Sequence, residues 1–170
     1  MNKVIEKILV EQIVKEAYSS NLYLAMASWA ENKGLPGTSQ WIYAQAEEER
    51  IHLLKFVKYV NERGGVAVIP AIDQPKFEAK NVKDLFKEIL KHEEFISESI
   101  NEIAATCVAE KDFATQNWIQ WFISEQIEEE ASVRSVIDVL NLMGENNMYL
   151  FEKEIVAMRA QAKAADAAGA

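Results

Sequence analysis

A chain of 170 residues, 49% of them hydrophobic, is long enough to bury one sizeable core and too apolar to be disordered. Its formal net charge of -9 excludes the basic stripe of a nucleic-acid surface and attraction to anionic lipid, and it suits cations. The single Cys107 excludes an internal disulfide framework, no apolar run is long enough to cross a membrane, and Met1 to Glu6 lack the core of a secretory signal, so a cytoplasmic location is expected.

With only 6 Gly and 3 Pro, the chain favours long uninterrupted helices. Asn2 to Asn32 reads as one helix, with apolar positions at Ile5, Leu9, Ile13, Tyr23, Met26, Ala27 and Ala30. Gly34-Leu35-Pro36-Gly37 stops it. A second helix is expected from about Thr38 to Arg63, ended by Gly64-Gly65 and packed antiparallel to the first. Val66 to Lys80, with Pro70 and Pro75, has no helical period and is too long for a simple turn. It reads as a crossover along the domain that makes helices two and three parallel. A third helix begins after Asn81, with Asp84 placed as in a capping box, and runs to about Glu110. Lys111-Asp112 is a short break before a fourth helix, which Gly144 ends after Met143. A short fifth helix is expected over Asn146 to Arg159, followed by a flexible Ala-rich tail, 161–170. An offset of 77 residues (118 − 41) lays Trp41-Ile42 on Trp118-Ile119, Glu16 on Glu93, Glu48 on Glu125, Glu49 on Gln126 and His52 on Glu129.

Taken in heptad steps, each long helix is apolar above and below one polar level. Leu9, Glu16, Tyr23 and Ala30 form one row, and Ile42, Glu49 and Phe56 another, with Gln45, His52 and Tyr59 alongside. Phe86, Glu93, Ile100 and Cys107 form the third. Ile119, Gln126, Val133 and Leu140 form the fourth, with Phe122, Glu129 and Val136 alongside. No Lys or Arg stands on these rows. Four unneutralised carboxylates in a core repel one another, whereas two divalent cations match their charge. Oxygen ligands with one imidazole suit Fe, Mn or Zn. Taken singly, the features are weaker: a lone histidine is commonly a hydrogen-bonded core residue, and Glu47-Glu48-Glu49 and Glu128-Glu129-Glu130 resemble solvated helix surface. The joint pattern favours metal. His92, one step off the Glu93 row, is expected near the surface, and Cys107 in the packing.

Glu16, Tyr23, Glu49-x-x-His52, Glu93 and Ser124-Glu125-Gln126-x-Glu128-Glu129 resemble the bacterial non-haem ferritins, over nearly the whole chain. The resemblance implies an all-α, ferritin-like four-helix bundle with a long crossover between helices two and three and a short fifth C-terminal helix, one di-iron domain over residues 1–160. It implies that Glu16, Glu49 and His52 hold one iron, that Glu49, Glu93 and Glu129 hold the other, and that Gln126 lies close by. A third iron site maps to Glu48, Glu125, Glu128 and Glu129. Tyr23 and Trp121 match aromatic residues that supply or relay an electron, although packing alone would also explain Trp121. Gln126-Ile127-Glu128-Glu129 replaces the second Glu-x-x-His of bacterioferritins, and Arg50 stands where they carry a haem-ligating Met, so no haem is expected.

The resemblance thus implies iron storage and detoxification: a ferroxidase that oxidises Fe2+ to Fe3+ with O2 or H2O2 and stores it as a ferric mineral in a homo-oligomeric shell of 24 subunits, without nucleic-acid or membrane partners. One alternative is a discrete di-iron or di-manganese oxidase or peroxidase without a storage shell. Another is a metal-free helical scaffold.

Overall fold

The computed structural model describes the backbone of all residues except 70, 145, 146 and 170, and the side chains of all but these and 162–169. The expected positions of Pro70 and Asn146, and the tail's side chains beyond Gln161, lie outside the described residues. Five helices follow in order: α1 (Lys3–Asn32), α2 (Pro36–Glu62), α3 (Val82–Ala109), α4 (Phe113–Met143) and α5 (Met148–Gly169). No strand occurs among the described residues.

Local chemistry sets most of these ends. Asn2 caps α1 by accepting from the Ile5 amide at 2.9 Å, Asn81 caps α3 from Asp84 at 2.8 Å, and Asp112 caps α4 from Thr115 at 3.1 Å. Two ends differ from expectation. α2 begins at Pro36, two residues early, because proline is well suited to the first helical position, where its missing N–H is not needed. α5 continues to Gly169, through the stretch expected to be a flexible tail, because alanine is the strongest helix former even without an apolar face.

Leu35, at the N-cap of α2, offers no side-chain cap. Glu152 of α5 supplies it: its carboxylate accepts from the Gly37 amide at 2.6 Å, the Thr38 amide at 3.2 Å and the Thr38 hydroxyl at 2.5 Å. Gly37 permits this approach, since a Cβ there would stand 2.2 Å from the Glu152 carbonyl oxygen.

The buried side chains form two clusters. One joins Leu22 to Ala30 of α1 with Trp41, Ile42 and Ala46 of α2, Val82 to Ile89 of α3, Val133 to Leu140 of α4, and Phe151 and Ile155 of α5. The other joins Ile5 to Ile13 of α1 with Phe56 to Val60, Ile96 to Cys107, Ile119 and Phe122. These groupings make α1/α2 and α3/α4 antiparallel pairs and set α2 parallel to α3, as the crossover requires. The crossover lies along α1, with the Val66 amide on Glu6 Oε1 and the Lys76 amide on Tyr18 Oη. Between the two apolar clusters lies one polar layer.

Candidate metal centre

That layer contains the residues singled out by the heptad rows. Glu16, Glu49, His52, Glu93, Gln126 and Glu129 are all buried, from 0% exposure at Glu93 to 7% at Glu129. All but His52, which stands between Gln45 and Tyr59 on its row, have buried apolar residues one heptad to either side, so helical periodicity carries the polar side chains inward. Glu16, Glu49 and His52 offer atoms close enough to hold one ion, and His52, Glu125 and Glu129 form a second such group. His52 Nδ1 lies 3.5 Å from Glu49 Oε2 and 3.9 Å from Glu16 Oε2, while its Nε2 lies 3.9 Å from Glu125 Oε1.

The hydrogen bonds around the layer are selective. Gln12 Nε2 donates to Glu16 Oε1 at 2.7 Å, and Gln12 Oε1 accepts from Ser99 Oγ at 2.5 Å. Tyr23 Oη donates to Glu93 Oε1, and Gln126 Nε2 donates to Glu93 Oε2 at 3.1 Å. Gln45 Nε2 donates to Glu129 Oε2 at 2.5 Å. Among the described residues, three buried side-chain oxygens accept no hydrogen bond: Glu16 Oε2 and both oxygens of Glu49. Buried polar atoms are rarely left unsatisfied. Here the orphans belong to the clustered carboxylates, whose donor set suits a hard cation.

Electrostatics agree with this geometry. Burial, reinforced by Glu49, lifts the Glu16 carboxyl well above the usual range, and burial reinforced by Glu93 does the same for Glu49. Glu93 is also raised by burial. Glu129 is pushed up to about 8 by burial and by the neighbouring Glu93 and Glu48. Burial opposes charge on His52, yet Glu125, Glu16 and Glu129 together raise it above its ordinary value. Without added positive charge, the layer must carry protons.

The outer residues are less uniformly placed. Glu125 faces His52, but Glu48 is half-buried and paired with Arg159 of α5, and Glu128 is exposed and belongs to neither ion-holding group. Trp121 is 40% exposed. Its ring stands edge-on to His52 with centroids 5.6 Å apart, and Lys55 Nζ lies 3.3 Å from its centroid. His92 is more enclosed than its near-surface expectation: Nε2 lies 2.8 Å from Ser19 Oγ, and burial lowers its pKa to about 4. Cys107 is buried in the apolar cluster, and Arg50 is exposed.

Gln12, Gln45 and Arg159 were not assigned to the site from sequence. Gln12 carried a signal, since it lies four residues before Glu16 on the same side of the helix. Gln45 stood on a core row without a function. Arg159 carried none, because only the docking of α5 brings it to the layer.

Comparison with known proteins gives a consistent picture. The family model for a ferritin-like domain matches residues 6–143. The chain is 39% identical to a bacterial non-haem ferritin of Campylobacter jejuni over 157 residues, 91% of this chain and 94% of that protein. It is 35% identical to a bacterial non-haem ferritin of Escherichia coli O157:H7 over 161 residues, 94% and 97% of the two chains. In structure it is similar to an open-pore ferritin from Archaeoglobus fulgidus, with a TM-score of 0.88, 37% identity, and coverage of 92% and 96%.

Proposed function

The chain belongs to the ferritin-like family, and on that premise we propose that it stores iron, oxidising Fe2+ as its substrate inside the bundle. The observation that carries this reading is Glu49, which is 1% exposed and has no hydrogen-bond donor to either carboxylate oxygen. A carboxylate free on both oxygens, amid other carboxylates and an imidazole, suits bridging of two cations.

In this reading Glu16, Glu49 and His52 bind one Fe2+, and Glu49, Glu93 and Glu129 bind the second. Gln126 and Tyr23 orient Glu93, and Gln45 orients Glu129. Cation binding displaces the protons that the apo layer holds. The two Fe2+ give up two electrons. O2 takes them with two protons to form H2O2, or H2O2 takes them with two protons to form two waters. Anionic oxygen ligands favour Fe3+, and the product passes to a ferric mineral. Glu48, Glu125, Glu128 and Glu129 would hold a third cation, and Tyr23 and Trp121 would supply or relay electrons. The chains assemble into a hollow shell, 24 subunits being the proposed number, in the cytoplasm. No described helix is long and apolar enough to cross a membrane.

Stopped-flow oxidation of Fe2+ by the purified chain should be rapid and should fall at least tenfold in Glu49→Ala and His52→Ala. Equal initial rates in all three proteins would exclude this function.

A further inference from the structure

Arg159 is the cation that the rows of the four long helices lack. It projects from α5, with 14% of its side chain exposed, and its guanidinium donates to Glu48 Oε2 and Gln45 Oε1. Its Cζ lies 5.4 Å from the Trp41 ring centroid, and its Nε is buried without a partner among the described residues. This contact has two consequences. Arginine can only donate, so the Gln45 oxygen must face Arg159 and the Gln45 amide nitrogen must face Glu129, where it donates at 2.5 Å. The same guanidinium neutralises Glu48, an outer carboxylate bordering the Glu129 side of the layer.

We propose that Arg159 is a specificity-determining residue that acts as an internal counter-ion. It fills the outer cation position by holding Glu48, limits tight loading to the two inner positions, and fixes Glu129 through Gln45. A third cation must compete with the guanidinium for Glu48. Docking of α5 is thereby linked to the cation count of the layer. This inference rests on the iron-storage reading and adds to it a residue that selects how many ions are held.

The test is calorimetric titration of the assembled full-length protein with Zn2+, which binds without redox chemistry. The wild type should take two Zn2+ per chain tightly and a third weakly. Arg159→Gln, similar in reach but neutral, should tighten the third site at least tenfold. Arg159→Lys, which keeps the charge, should stay within threefold of wild type. Adding Glu48→Gln to Arg159→Gln should abolish the gain, because the freed carboxylate is then absent. Third-site affinity unchanged in Arg159→Gln, or a gain that survives Glu48→Gln, overturns the role of Arg159 while leaving two-site binding intact. Failure of the wild type to hold two Zn2+ overturns both this inference and the iron-storage reading.

Discussion

His52 Nδ1 stands 3.5 Å from Glu49 Oε2, one helical turn along α2, with both side chains sealed from solvent. Before an ion binds, His52 and Glu16 are the titratable groups that share protons with the Glu49 carboxyl. An ion between them would take over that role, so the pair links metal binding to protonation of the whole layer.

The ion-free protein should lose stability as pH rises. The carboxyls of the buried layer, Glu16, Glu49, Glu93 and Glu129, are raised by burial, that of Glu129 from 4.5 to about 8. The folded state therefore keeps protons that the unfolded chain releases. The stability they contribute is complete below about 4.5 and is lost as pH climbs toward 8. His52, also raised, acts with the same sign. Thermal melts of ion-free protein should show Tm falling between pH 5 and 8, and the Tm gain on adding Zn2+ should grow over that range. A larger gain at pH 5 would contradict this.

Glu49→Gln should separate stability from function. It removes a carboxyl whose proton the fold must retain, and in mildly alkaline buffer should stabilise the ion-free protein by roughly 1–3 kcal/mol, the scale of an unsatisfied buried polar group. The same change should abolish the stabilisation by Zn2+, because a neutral amide is a poor bridge between cations. Paired melts with and without the ion provide the measurement.

Tyr23→Phe should cost more without metal than with it. The hydroxyl is a donor to Glu93 Oε1, and removing it leaves a buried acceptor short of one partner. The expected loss is about 1–3 kcal/mol in the ion-free state and under half of that with Zn2+ bound, where the cation serves the oxygen instead. Chemical denaturation in both states checks the difference.

Gly37→Ala should detach α5. The new methyl would meet the Glu152 carbonyl at 2.2 Å, and backbone has to move to relieve it. A loss of roughly 1–3 kcal/mol is expected, with faster proteolytic cleavage in the α4–α5 connection and α1/α2 pairing intact. Glu152→Gln should give a smaller loss, about 1 kcal/mol, because the amide oxygen still accepts but without charge. Limited proteolysis followed by mass spectrometry locates the cleavage.

Much of the bundle was legible because helix periodicity is a local property. Leu9, Glu16 and Tyr23 recur every seven residues, and so do Ile42, Glu49 and Phe56, so the inward polar level could be read without knowing which helices touch. Helix ends marked by Asn81 and Gly144 were legible for the same reason. The start of α2 was less so, because its capping carboxylate comes from Glu152, more than a hundred residues away. The length of α5 was not legible, because an Ala-rich stretch has no amphipathic pattern yet still has strong backbone propensity.

The sequence by itself determined the helix count, the crossover and the buried carboxylate level, since each follows from spacing within one segment. Only the tertiary structure decided how that level is completed. It set Gln12 on Glu16, Tyr23 on Glu93 and Gln45 on Glu129, left Glu49 without a donor, and brought Arg159 across from α5 to Glu48. The physical reason is that a row of residues specifies which side of a helix turns inward, whereas neutralisation of a buried charge depends on what the other helices bring within about 3 Å of it.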